Sequence, residues 1–182
     1  MQEISSSSDK LLKGLRETVV LLITAFILAM GIRTAIAEVR YVPSGSMEPT
    51  IKTGDRLLTF KALYHFKEPE RGDIVIFDVP KEAMLEPDSA PFVKRVVGLP
   101  GDEIEVRSGR VFVNGNEYKV PTARIPEYDY GPVKVEKGKL FVLGDNRNHS
   151  YDSHEWGQVP EDNLIAKAIL VIWPLNHAKV LK

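Results

Sequence analysis

Hydrophobic positions are distributed in two unlike ways along the chain. From Thr18 to Ile32 fifteen consecutive residues, TVVLLITAFILAMGI, carry no charge. As a helix that run is about 22 Å long, short of the roughly 30 Å hydrocarbon core of a bilayer. Extended to Glu17–Ala37 it reaches about 31 Å, with Arg33 near one end, where an arginine can snorkel to the interface. Three readings are open: a single membrane span, a secretory signal cleaved after Ala35-Ile36-Ala37, or a buried helix. Lys10, Lys13 and Arg16 before the run and Arg33 and Arg40 after it do not fix its orientation. Residues 1–10, with serine at positions 5–8, are expected to be a frayed tail.

Beyond Tyr41 the period changes to two. Strands are expected at Arg56–Phe60, Asp73–Val79, Phe92–Gly98, Glu103–Arg107, Arg110–Val113, Asn116–Val120, Leu140–Leu143 and Leu164–Trp173. Asn114-Gly115 between two alternating runs is a strong hairpin signal. Pro80–Pro91 and residues 121–138, rich in proline and charge, are expected to be loops. Trp156 and Trp173 are expected in the core. The fold class is mainly β: an antiparallel β-sheet domain over 38–182, behind a tail over 1–16 and a transmembrane helix over 17–37.

Composition narrows the chemistry. With 24 basic and 25 acidic side chains spread evenly, nothing marks a nucleic-acid surface. The absence of cysteine removes thiol catalysis, thiolate metal sites and disulfides.

Three stretches place reactive residues beside unusual backbone. In Pro43–Thr50, PSGSMEPT, prolines stiffen a non-helical path that presents serines, but a serine is inert until a base takes its proton. Phe92–Gly98 embeds Lys94 and Arg95 in an apolar strand. Alternation puts Phe92, Lys94 and Val96 on one face and Val93, Arg95 and Val97 on the other, so one cation is expected to be desolvated. Free lysine is neutral in about one molecule in 2,500 at pH 7, and burial can lower its pKa by the 3 to 4 units a base needs. The amphipathic lysine of a sheet edge is the plainer alternative. The third stretch, Gly144–His154, permits on paper a triad of Ser46, His149 or His154, and Asp145 or Asp152, or else ordinary turn chemistry. His149, Asp152 and His154 lack the spacing of a helical metal site, so no metal is expected. His65 and His177 have no partner pattern.

Taken together, PSGSMEPT, RGDIVIF at 71–77, KRVVGLPGD at 94–102 and GDNRNHSYDSH at 144–154, in this order after an apolar run, closely resemble the bacterial type I signal peptidases, or leader peptidases. SYDSHEWG is most similar to the cyanobacterial and plastid branch. The resemblance implies a membrane-bound serine endopeptidase with a Ser/Lys dyad that removes signal peptides after Ala-x-Ala sites. Ser46 matches the nucleophile, Lys94 the general base and Ser150 the serine that orients the lysine. The Ser46 amide and the Ser44 hydroxyl match the oxyanion hole. Asp145, Arg95 and Asp152 match site-supporting ion-pair residues, and Val42, Met47, Ile51, Phe92 and Val93 match pocket walls. Implied partners are signal peptides of preproteins, the lipid bilayer and the translocation machinery, with no cofactor and no nucleic acid. The implied location is the plasma or thylakoid membrane, single-pass, with the N-terminus cytoplasmic and the catalytic domain in the periplasm or lumen. One position departs: many bacterial members carry arginine where this chain has His154, so a permanent ion pair with Asp152 is not expected. Two rival functions are a soluble self-cleaving Ser/Lys repressor-type peptidase and a tethered β domain that binds peptides without cleaving them.

Overall fold

The computed structural model describes residues 3–65, 67–83 and 90–181, and residues 84–89 of the expected Pro80–Pro91 loop and the side chain of His65 lie outside what is described. Two units are distinguished, Met1–Ile36 and Ala37–Lys182. The first is one helix, α1 (Glu3–Ile36), so the expected frayed tail is helical from Glu3, since serine lowers helix propensity without breaking it. Val19, Val20, Leu21, Leu22, Ile23, Phe26, Ile27 and Leu28 of α1 are all exposed. Among the described residues no helix is long and apolar enough to cross a membrane. The helix expected to run through Ala37 stops at Ile36.

The second unit is mainly β and antiparallel. Its strands are β1 (Ala37–Tyr41), β2 (Arg56–Phe60), β3 (Ile74–Phe77), β4 (Phe92–Gly98), β5 (Glu103–Arg107), β6 (Arg110–Val113), β7 (Asn116–Glu117), β8 (Tyr130–Lys134), β9 (Lys139–Leu143), β10 (Val159–Pro160), β11 (Leu164–Trp173) and β12 (Lys179–Val180). One sheet has the order β1-β2-β11-β3-β4-β9-β10, with β12 also on β11, and the other has the order β7-β6-β5-β8. A single helical turn, α2 (Ser153–Trp156), precedes β10.

Local chemistry accounts for the small sheet. The β5–β6 and β6–β7 turns put Ser108-Gly109 and Asn114-Gly115 at positive φ (50° and 73°, 51° and 75°), the twist that two-residue hairpins require. β8 falls inside the stretch expected to be loop; it pairs with β5, and Gly131 takes φ 85° against the β5 backbone.

Among the described residues three apolar clusters fill the unit. One joins Val42, Met47 and Ile51 to Leu57, Ile74, Ile76, Ala166, Ala168 and Val171, and so fixes the segment that carries Ser46. Burying each large aliphatic side chain there contributes about 1.5–3 kcal/mol. Trp156 packs on Phe77 with ring centroids 6.2 Å apart, as expected of a core residue. Trp173 is instead 52% exposed, because β11 changes register against β2 between Val171 and Trp173.

Candidate active site

β4 is central in its sheet, with β3 on one side and β9 on the other, so both of its cations are buried. Lys94 is 4% exposed and Arg95 3%, although the alternation pattern required desolvation of only one. Their partners lie on opposite faces, as alternation dictates.

On one face Lys94 Nζ donates to Ser46 Oγ at 2.8 Å and sits 5.1 Å from the centre of the Phe92 ring. Burial lowers the lysine from its ordinary 10.5 to about 8, and the charge of Asp152 resists the shift. Ser44 Oγ lies 3.5 Å from Ser46 Oγ. On the other face Arg95 grips Asp145 with both prongs, Nε to Oδ1 at 2.8 Å and Nη2 to Oδ2 at 2.7 Å, while Nη1 donates to Gly72 O at 2.8 Å. Thr50 donates to the same carboxylate, so the end of the Ser46 segment is tied to the pair. A buried bidentate pair like this costs about 3–5 kcal/mol to break by removing one partner.

The segment after β9 closes the site. Asn146 donates its amide to Ser46 O and its side-chain Nδ2 to Gly45 O, both at 3.0 Å, holding the two carbonyls that flank the Ser46 nitrogen. Gly144 approaches so closely that a Cβ there would meet Ser46 O at 2.4 Å and Ser150 Oγ at 2.2 Å. Asp152, fully buried, accepts from Gly144 N at 2.8 Å and caps α2 through His154 N at 3.2 Å. His154 Nδ1 lies 2.7 Å from Asp152 Oδ1, and the imidazole stacks on Tyr128 with centroids 4.2 Å apart. Burial alone would lower the His154 pKa; hydrogen bonding to Asp152 and its charge more than offset this, and the net shift is upward.

Ser46 and Lys94 open onto a cleft of about 630 Å³ whose walls include Val42, Met47, Phe92 and Val93. Ile51, expected among those walls, is instead wholly buried in the core beneath the Ser46 segment. Asn146, His149 and Tyr151 line the cleft too. Sequence reasoning gave neither Asn146 nor Tyr151 a role at the site; the signal was present in their place between Asp145 and Asp152. Ser150 is buried, and its hydroxyl has no hydrogen-bond partner among the described residues. His177, without a partner in the sequence pattern, places Nδ1 3.0 Å from Asp55 Oδ1. Among the described residues no group of histidine and carboxylate side chains could hold a metal ion.

Chemically, the cleft joins a serine hydroxyl to a desolvated amine, and its walls are mostly apolar. Residues 15–173 match the family model described as "Signal peptidase, peptidase S26". The chain is 48% identical over 161 residues to a probable signal peptidase I-2 of Synechocystis, covering 88% of this chain and 74% of that protein. It is 48% identical to a signal peptidase I of Leptolyngbya laminosa, covering 83% and 76% of the two chains. It is 40% identical to thylakoidal processing peptidase 1 of Arabidopsis thaliana, covering 91% of this chain and 51% of that one. The chain therefore belongs to the signal peptidase family, peptidase S26, and is a serine endopeptidase that removes signal peptides.

Proposed function

We propose that Ser46 and Lys94 are the catalytic dyad of this signal peptidase, acting on preproteins after Ala-x-Ala-type sites. The observation that carries the assignment is the 2.8 Å hydrogen bond between a serine on a clamped turn and a buried lysine whose pKa is about 8. At pH 7 about a tenth of such a lysine is neutral, some two hundred times more than free lysine. The neutral amine takes the proton of Ser46 Oγ as the oxygen attacks the scissile carbonyl carbon. Negative charge forms on the carbonyl oxygen and is met by the Ser46 amide and the Ser44 hydroxyl. The ammonium then returns its proton to the leaving amine as the C–N bond breaks, which leaves an acyl ester on Ser46. A water, deprotonated by Lys94, attacks the ester, and the released Ser46 oxygen regains the proton.

Val42, Met47, Phe92 and Val93 wall pockets that accept only small side chains, while the substrate backbone pairs with the strand-like edges on either side of the cleft. Ser150 is the orienting neighbour of the lysine, and Arg95, Asp145 and Asp152 hold the frame. In the same reading residues 17–37 anchor the chain once across a membrane, with 1–16 cytoplasmic and 38–182 extracytoplasmic. The apolar, all-round exposed stretch of α1 supports this. An anchored enzyme meets signal peptides, themselves membrane segments, at high effective concentration, and works beside the translocation machinery.

The test is cleavage of a model preprotein by Ser46→Ala and Lys94→Ala. Ser46→Ala abolishes cleavage, and Lys94→Ala lowers it roughly 10²–10⁴-fold. Wild-type rates in either variant would refute the dyad, and retained peptide binding with no cleavage in the unmutated chain would favour a non-catalytic binding domain.

A further inference from the structure

Arg147 is 3% exposed. Its Nε donates to Gly144 O at 3.0 Å, while Nη2 is buried without a hydrogen-bond partner among the described residues. The hydroxyl of Tyr128, a neighbour in the electrostatics of this guanidinium, is likewise buried and unpaired. Burial pushes Arg147 below the ordinary guanidinium range, and the charges of Asp145 and Asp152 pull it partly back. Both carboxylates are already engaged, Asp145 by Arg95 and Thr50, Asp152 by Gly144 N and His154. A guanidinium does not release its proton at any ordinary pH. Among the described residues Arg147 thus makes no ion pair of its own and feels Asp145 and Asp152 only as carboxylates engaged elsewhere.

The same side chain lines a cavity of about 200 Å³ whose wall also carries Arg110, Lys119, Arg124, Glu117 and Tyr118. Four cations there face one carboxylate, and Glu117 is shared between Lys119 at 3.4 Å and Arg110 at 3.9 Å. The Arg124 guanidinium has no partner among the described residues. This cavity and the Ser46 cleft share no lining residue.

We propose that this cavity is a binding site for a small oxyanion of the phosphate class, with Arg147 as its buried ligand and Arg124 as its ligand at the mouth. Guanidinium forks match such oxygens bidentately, and a buried arginine with an unmade hydrogen bond in the wall of a cationic recess is what an anion would answer. The site is coupled to the peptidase frame through two backbone contacts. Arg147 Nε holds Gly144 O, and Arg124 N donates to Asp145 O at 2.8 Å. An anion bridging the two arginines ties the segment around Arg124 to the turn that clamps Ser46.

The experiment is a thermal-shift titration of the full chain in detergent with sodium phosphate, at an ionic strength held constant with sodium chloride. A saturable rise in Tm with phosphate but not chloride is expected. Arg124→Ala and Arg147→Lys should each weaken the apparent affinity roughly tenfold. Lys137→Ala, an exposed cation outside the cavity, should leave it unchanged. Arg124 is exposed, so its variant decides the question even if Arg147→Lys does not fold. No phosphate-specific rise, or one that Arg124→Ala leaves intact, overturns the site. Binding is read without a cleavage assay, so the result is independent of the dyad assignment.

Discussion

Gly144 and Ser46 are packed so that a Cβ on the glycine would stand 2.4 Å from the serine's carbonyl oxygen. The neighbour on that side is backbone, and Asn146 N holds the same oxygen at 3.0 Å, so neither can yield cheaply. Gly144→Ala is expected to displace the Ser46 turn. A shift of about 1 Å at a reacting group can lower the rate by about 10²-fold. Gly98→Ala is the contrast: the three atoms nearest its Cβ would be side-chain atoms of Ile104 and Val135, at 2.8–2.9 Å. That variant should lose Tm while keeping its cleavage rate per folded molecule. Cleavage assays and thermal melts on the pair check this; equal rates per folded molecule would show that the Gly144 contact does not position Ser46.

Lys94 links activity and stability with opposite signs. Its folded pKa is depressed from 10.5 to about 8, so the unfolded chain holds the proton more tightly between those values. The group therefore costs stability in full below pH 8, and the cost fades as pH rises from 8 to 10.5. Lys94→Met should be inactive yet more stable at pH 7, by roughly 3 kcal/mol, with the gain shrinking above pH 8. The wild-type kcat/KM should fall about tenfold per pH unit on the acid side of a limb near 8. Urea melts at pH 7 and 9.5, with a pH–rate profile, measure both halves. A Lys94→Met variant less stable than wild type at pH 7 would contradict the desolvation argument.

The Ser150 hydroxyl makes no hydrogen bond among the described residues, so removing it forfeits no folded-state bond. Ser150→Ala should change stability by no more than about 0.5 kcal/mol, or even stabilise, because it relieves an unsatisfied buried group. If Ser150 orients the lysine once substrate is bound, kcat should fall while KM holds. A large stability loss with unchanged kcat would make Ser150 a packing residue.

What could be seen in the sequence follows from how local each determinant is. Phe92–Gly98, Glu103–Arg107 and Arg110–Val113 are strands with the expected bounds, because alternation and positive-φ turn pairs act over a few residues. The strand Ala37–Tyr41 was hidden because its first residue continues a helical run, and its partner Arg56–Phe60 lies across the whole Ser46 segment. Tyr130–Lys134 carries Gly131 and Pro132, so only its pairing with the Glu103–Arg107 strand makes it a strand. At the site, the burial of Lys94 was legible from its apolar neighbours. The need for glycine at 144 was not, since it arises where two segments about a hundred residues apart touch. Trp173 turned outward through a register shift that no local pattern announces.

The imidazole at position 154 makes the frame around Asp152 sensitive to pH. His154 is raised above its ordinary 6.5, because the hydrogen bonds and charges of Asp152 and Glu155 outweigh its burial. Its contribution to stability is thus fully present below pH 6.5 and is lost as pH rises through the higher folded value. Wild-type Tm should therefore drop across that window relative to His154→Arg, whose cation is permanent, and the His154→Ala curve should approach wild type at the alkaline end. A second effect reaches the base. Asp152 raises the Lys94 pKa, and a cation on residue 154 offsets that carboxylate. With a permanent cation at that position, His154→Arg should therefore place the acid limb of kcat/KM at lower pH than His154→Ala does. Thermal melts from pH 5.5 to 8.5 and rate profiles of the three proteins supply both readouts. Coincident limbs in His154→Ala and His154→Arg would show that the charge at 154 does not reach Lys94.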